Sequence, residues 1–496
     1  ARSTGKPVLA SWMGGSDIRA GQAILNEAGI PTFEYADTAT RLFNYMWRYA
    51  DNLKALYETP AITDEEDGEA LNREQVRRTI EEARASGRTI LSEYDSKQIL
   101  AAYGIPVVPM KLAASPDEAV KAADELGYPV VVKIHSETIT HKTDVGGVIL
   151  NLADADAVRE AYRRIEANVL RQYAPSDFLG VSVQPMIKLD GYELIIGSSV
   201  DPQFGPVLLF GTGGTLVEVF KDRSLGLPPL NTTLARRMME RTKIYTALKG
   251  IRGKPPVDLA AMERLMVRFS QVVAENRWIK EIDINPLLAS HERIVALDAR
   301  VVLYEPEVRE EDLPQLAIRP YPAQYVSEAS LKDGTRVVLR PIRPEDEPLM
   351  VKFHESLSER TVFLRYFDPL KLSARISHER LARITFIDYA REIILVAERH
   401  NPDSGEKEII GVSRLSKLHG SDVADFTLVV TDAWQGKGLG TEMMRRQMDI
   451  ARAENIGHIR AAILPEADDM RHIFGKFGFQ IYEVPENQTM RAEIDL

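Results

Sequence analysis

The sequence predicts an α/β protein laid out in three consecutive blocks. Strand-like and helix-like segments alternate from the first residues onward. The longest apolar runs, residues 128–134 and 393–397, have the length of buried strands. Near the end, a hydrophobic strand at 426–430 feeds directly into a glycine-rich turn and a helix. Such alternation is the pattern of sheets covered by helices. At roughly 150 residues per domain, 496 residues suggest about three domains.

The first block covers residues 6–58. PVLASWMGG reads as a buried strand, 18–28 as a helix stopped by Gly29, and 30–35 as a second strand. Residues 38–57, with Leu42, Met46, Tyr49 and Leu53, have helical spacing, so the order is β-α-β-α. The acidic stretch TDEEDGE at 63–69 reads as a solvated linker. The second block runs from Arg73 to Tyr304 and includes a helix at 116–126. Residues 305–328 carry Pro306, Pro314, Pro320 and Pro322, a density that opposes regular structure and suggests a tether. The third block, 332–496, opens with a strand at 336–341 and a helix at 345–356. It closes with strands near 424–430, 459–464 and 480–483.

Composition narrows the chemistry. There is no cysteine, which excludes disulfides, thiolate metal sites and a cysteine nucleophile. With 62 basic against 73 acidic residues the net charge is −11, unfavourable for general nucleic-acid binding. No apolar run approaches a membrane span, and ARSTGKPVLA lacks the apolar core of a signal peptide. Cytoplasm is the default compartment, with no membrane or nucleic-acid partner expected. A chain opening on Ala1 reads as processed or truncated.

The most specific motif is DFTLVVTDAWQGKGLGTEMM, residues 425–444. Glycines at a strand-to-helix turn let the backbone approach a ligand, and the free amides of the helix start bind phosphate. Lys437 adds charge at the rim. The Q-x-x-G-x-G spacing of Gln435, Gly436, Lys437, Gly438, Leu439 and Gly440, leading into Thr441, resembles motif A of the GNAT superfamily. That motif binds the pyrophosphate of acyl-coenzyme A. RPIRPED at 340–346 looks like the GNAT opening strand and helix, and FGKFGF at 474–479 looks like motif B. The resemblance implies acetyl-CoA as co-substrate and a strand amide near Val430 that polarises the thioester carbonyl. A lysine amine titrates near pH 10.4, so a carboxylate or water chain must take its proton. Where protein acetyltransferases of the Pat type have A-E-F, this chain has Ala424-Asp425-Phe426, making Asp425 the candidate base. The alternative is a strand-edge carboxylate that is merely solvated. Phe474 stands where many GNAT enzymes place an acid tyrosine, and Ala467 where motif B has asparagine.

The second block resembles the ATP-grasp part of NDP-forming acyl-CoA synthetases. The resemblance rests on YPVVVKIHSETITHKTDVGGVIL (128–150), YELIIGSSVDPQFGPVLLFGTGGTLVEVFKD (192–222), EIDINPLL (281–288) and LDAR (297–300). It implies ATP or ADP with magnesium. Lys133 serves a phosphate, Gln184 and Met186 in SVQPMI the adenine hinge, and Gly213 and Gly214 a close-approach loop. Asn285 and Asp298 are the metal positions, with Asp283 nearby. His141 resembles a phosphate relay; its alternative is a hydrogen bond within its loop. The histidine-bearing, CoA-binding domain of these synthetases has no counterpart, since no histidine precedes His135.

Together these resemblances imply a flavodoxin-like ligase lobe (1–60), a linker and helix (61–90), an ATP-grasp domain (91–304), a Pro-rich linker (305–330) and a GNAT domain with a mixed sheet (331–496). This is the layout of Pat-type bacterial protein lysine acetyltransferases. The leading expectation is acetyl transfer to a lysine of a partner protein such as an acyl-CoA synthetase, with a regulatory ligase-like half. The alternatives are an ADP-forming acyl-CoA synthetase subunit with an accessory GNAT domain, or a small-amine N-acetyltransferase. A homo-oligomer, or association with the missing ligase domain, stays open.

Overall fold

The computed structural model describes residues 6–56, 71–139, 142, 144–187, 191–214, 222–251, 253, 255–402, 404–485 and 488–496. The acidic stretch at 63–69 and His141 lie outside these residues. The chain divides into two compact units: residues 1–59 with 326–387 and 391–496, and residues 60–325 with 388–390.

At the N-terminus, β1 (Ala10–Ser11) and β2 (Thr32–Phe33) pair in parallel around the helix Arg19–Glu27, and the helix Ala36–Leu56 follows. The expected β-α-β-α order is present. The expected buried strand is not: only two residues pair, and Val8 and Met13 stand 43% and 66% exposed. Two short strands supply too little surface to cover an apolar run.

The second unit has two antiparallel sheets. The smaller comprises β3 (Lys111–Ala113), β4 (Val130–His135), β5 (Val148–Leu152) and β6 (Gly180–Pro185), in the order β3-β6-β4-β5. Helices Pro116–Leu126 and Ala155–Leu170 bury Ala119, Ala123, Val158 and Ile165 in one core with Val130 and Val132. The first helix starts where Ser115 caps the Glu118 amide and Pro116 presets φ.

The larger sheet contains β7 (Tyr192–Asp201), β8 (Gly205–Thr212), β9 (Arg223–Gly226), β10 (Ile279–Ala289), β11 (Ile294–Ala296) and β12 (Arg300–Leu303). Its order is β11-β10-β7-β8-β9, with β12 also on β10. Phe269 and Val272 of the helix Leu259–Glu275 share its core with Ile282 and Ile284.

The proline-rich segment at 305–325 holds only single 3-10 turns, Glu310–Asp312 and Ala323–Tyr325. It is nonetheless anchored on this unit. Leu313 and Tyr321 are buried, and Arg277 donates to the Leu313 carbonyl at 2.9 Å. The last residues expected to be tether, Ser327–Ser330, instead form a strand.

That strand, β13, starts the third sheet. It is followed by β14 (Arg336–Pro341), β15 (Glu392–His400), β16 (Lys407–Lys417), β17 (Val423–Val430), β18 (His458–Ile463), β19 (Gln480–Val484) and β20 (Thr489–Asp495). The spatial order is β13-β14-β15-β16-β17-β18-β20-β19, and only β17 and β18 run parallel. Helices Glu347–Glu355, Glu359–Tyr366 and His378–Thr385 contribute Phe353, Val362 and Leu381 to the core on one side. The expected helix at 345–356 begins as a 3-10 turn, Pro344–Asp346. The helix Leu439–Ala453 follows the glycine loop. Among the described residues, no helix is long and apolar enough to cross a membrane.

Candidate functional sites

In the third sheet, β17 and β18 pair only through Val423–His458, Ala424–Ile459 and Asp425–Arg460. Beyond that point the strands part. The gap opens into a cavity of about 1180 Å³ lined by β17 residues 426–430, β18 residues 461–463 and the glycine loop. The Thr431 amide bonds Ile410 of β16. By strand alternation, the amides of Val430 and Leu428 therefore face the gap.

The loop glycines have separate reasons. Gly436 and Gly438 have φ +71° and +92°, a left-handed region costly for other residues. A Cβ on Gly440 would lie 3.1 Å from Ile473 and 3.3 Å from Leu428, so this glycine permits close packing of helix on strand. Gln435 donates to the Val430 carbonyl at 3.0 Å and to Thr361 at 3.2 Å, which fixes the loop. Thr441 lines the cavity. Lys437 is paired with Asp333 at 3.2 Å and lies over the Trp434 ring, so the rim charge is partly neutralised. Leu439 is 1% exposed and packs into the core, so it does not line the cavity.

Asp425 stands at the vertex where the strands separate. Its carboxylate receives Arg460 Nε at 2.5 Å and Nη2 at 3.5 Å. The candidate base is thus an ion-paired, half-exposed group rather than a free one. Phe474 is fully buried against Phe426 and Phe479, as a core residue. The RPIRPED motif has a structural task. Arg340 grips Asp346 with two 2.7 Å bonds and Glu398 at 2.7 and 2.9 Å. Burial alone would favour a neutral Arg340, but these two carboxylates hold it firmly charged.

In the second unit, Ser92 caps a helix, Glu93–Ala102, whose Glu93 and Lys97 are both buried. Glu93 Oε1 meets Lys133 Nζ at 2.8 Å and Lys97 Nζ at 3.0 Å, while its Oε2 bonds Lys142. Lys97 also donates to Gln184 Oε1 at 2.9 Å. Burial alone would raise the Glu93 pKa, but Lys133, Lys142 and Lys97 together hold it below the usual carboxylate range. Burial and the nearby Glu93 raise that of Asp298, against the three lysines. One buried cluster therefore joins Lys133 and Lys142 of the 128–150 motif, and the nearby Asp298, with Glu93 and Lys97, which no motif had singled out. The only sequence signal for Glu93 and Lys97 was their i, i+4 spacing behind the N-capping Ser92.

The other expected positions divide. Asn285 Oδ1 accepts the Gly214 amide at 3.2 Å. A Cβ on Gly213 would fall 2.4 Å from the Leu194 backbone, and Gly214 has φ +75°, so both positions favour glycine. The Met186 amide is spent on the Pro129 carbonyl at 2.8 Å. Asp283 is paired with Arg300 at 2.9 Å. Among the described residues no group of three His, Asp or Glu side chains could hold a metal by itself. Magnesium held mainly by phosphate oxygens needs only one or two protein carboxylates, and Asp298, beside the three lysines, is a carboxylate that could supply one.

Residues 82–303 match the family described as ATP-grasp domain, and residues 336–480 the family described as acetyltransferase (GNAT) domain. The β subunit of acetate–CoA ligase [ADP-forming] I from Pyrococcus furiosus is 43% identical over 46% of this chain and 98% of its own length. The 4-hydroxybutyrate–CoA ligase [ADP-forming] of Nitrosopumilus maritimus is 36% identical over 57% of this chain, a match spanning 40% of that ligase. An acetyltransferase of Pseudomonas aeruginosa is 28% identical over 32% of this chain and 83% of its own length.

Proposed function

The chain belongs to the family of ADP-forming acetate–CoA ligase β subunits through its ATP-grasp half, and we propose that this half is a working ligase module joined to a GNAT N-acetyltransferase. The sequence reading put protein lysine acetylation first and the ligase second. Homology across nearly the whole β subunit supports the reverse weighting.

The observation that carries the ligase reading is the buried lysine cluster. Three ammoniums converge on the single carboxylate of Glu93. That surplus of buried positive charge suits a nucleotide phosphate chain. Asp298 and Asn285 would hold magnesium with the phosphate oxygens, which supplies further charge neutralisation. Gly213 and Gly214 allow the backbone to close on the ligand. The ligase cycle also needs a CoA-binding, histidine-bearing partner. The test combines the chain with ATP, magnesium, CoA, acetate and the α subunit of a related ligase, and follows ADP. Lys133→Ala should abolish ADP formation. No ADP from the parent with any short acid would overturn this reading.

For the GNAT half, the parted strands support transfer of acetyl from acetyl-CoA to an amine, with a lysine of a partner protein as acceptor. The phosphates belong at the amides of residues 438–441 and the thioester in the β17–β18 gap. The amine nitrogen attacks the carbonyl carbon, the C–N bond forms, and the C–S bond breaks. The amine proton leaves towards Asp425, directly or through water, and the thiolate takes a proton to become CoA. Without cysteine no acyl-cysteine intermediate can form, and the acetyl group is proposed to pass straight from thioester to amine. Labelled acetyl-CoA with cell lysate should mark protein, and Asp425→Ala should reduce the labelling. Equal labelling by both would remove only the base assignment.

A further inference from the structure

The acceptor side of the GNAT cavity contains a charge that neither motif explains. Residues 426, 428 and 430 of β17 face the glycine-loop helix and the helix Asp468–Lys476, as the contacts of Gly440 and Phe426 show. By alternation, Asp425 and Thr427 face the opposite side, towards the helix Glu359–Tyr366. From that helix Arg365 reaches into the cavity and donates to Thr427 Oγ1 at 2.8 Å. No carboxylate pairs with Arg365 among the described residues. Burial disfavours its charge, Tyr366 favours it, and the charged neighbours Arg414 and Arg380 disfavour it again, so the net direction is down. Arg414 is paired with Glu392, while Arg365 and Arg380 both lie by the Tyr366 ring, at 5.0 and 5.1 Å, so Arg365 has a ring and a hydroxyl as partners but no acid among the described residues. A guanidinium facing a cavity without a counter-ion is an anion site awaiting its anion.

We infer that Arg365 and Thr427 bind a carboxylate of the acceptor, so that the preferred acceptor amine carries an acid group about 7 Å from its nitrogen. The spacing follows from Asp425 and Thr427 standing two residues apart on one strand face, at about 3.4 Å per residue. A lysine ε-amine with its own carboxylate, or with a flanking Asp or Glu, meets this requirement. A polyamine does not. The inference rests on the acetyl-transfer reading and adds acceptor class to it.

The test measures CoA release by the full chain with acetyl-CoA and paired acceptors. Lysine against cadaverine probes a free amino acid; Asp-Lys against Asn-Lys peptides probes a protein segment. In at least one pair, kcat/KM should favour the acid-bearing acceptor by about tenfold, and Arg365→Gln should bring that ratio towards one. Arg365→Lys should keep part of the preference, which separates charge recognition from loss of fold. Ratios near one in both pairs for the parent overturn the inference, as does a ratio unchanged in Arg365→Gln. No CoA release with any amine would instead sink the acetyl-transfer reading.

Discussion

Replacing Glu93 with glutamine should destabilise the ATP-grasp unit more than any other single charge change in it. Glu93 has 5% side-chain exposure, and three lysines share its two oxygens. Glutamine preserves volume and removes the charge. Loss of one partner from a buried ion pair costs about 3–5 kcal/mol, and three cations are orphaned here. A unit of this size loses about 2–4 °C per kcal/mol, so the melting temperature should fall by roughly 10 °C. The sign with pH follows from the depressed Glu93 pKa. Its stabilisation is complete above the unfolded carboxylate value near 4.5 and is lost as pH falls below it. The parent should therefore lose stability in acid faster than the variant. ATP should also raise the melting temperature of Glu93→Gln more than that of the parent, because phosphate would meet lysines with no competing carboxylate. Thermal unfolding of both proteins at neutral and acid pH, with and without ATP and magnesium, measures all three effects. A variant that melts within 2 °C of the parent would show that the cluster stores no net stabilisation and would refute the argument.

Four further outcomes are expected. Asp346→Ala leaves the buried Arg340 with one acid partner instead of two, and should cost about 3–5 kcal/mol in urea unfolding of the GNAT unit. His354 is 1% exposed, and both its ring nitrogens lack partners. Burial first, then Arg375, Arg380 and Arg365, push its pKa down to about 4. The unfolded imidazole takes a proton near pH 6.5, so stability should fall by about 3 kcal/mol as pH drops from 6.5 to 4, and His354→Leu should remove that loss. Gly438→Val forces a branched side chain into φ +92°, and should raise KM for acetyl-CoA by about tenfold or more with little change in the ligase assay. Arg460→Met frees Asp425 from its guanidinium. If Asp425 accepts the amine proton, the pH dependence of acetyl transfer should shift; an unchanged profile argues for water alone.

Much of the architecture was legible along the chain. The strand 336–341 and the helix 116–126 fall at the bounds read from the sequence. Local signals suffice there, because Ser115-Pro116 starts the helix and β-branched runs such as VVVKI are apolar on both faces. The last strand, Thr489–Asp495, was overlooked although Met490, Ala492 and Ile494 alternate within it. The first strand was overread, since an apolar run is buried only if other elements arrive to cover it.

The sequence by itself determined which chemistries the chain carries, because glycine loops, capped helices and apolar strands are local features written in consecutive residues. It also determined what is impossible, above all an acyl-cysteine intermediate. Only the tertiary structure decided how the charges are shared. It brought Glu93, Lys97, Lys133 and Lys142 to one buried point across 50 positions of chain. It tied Asp425 to Arg460, and left Arg365 lining a cavity without an acid partner among the described residues. Coulombic pairing depends on distance through space and on burial. Neither can be read from residue order until the strands and helices have packed.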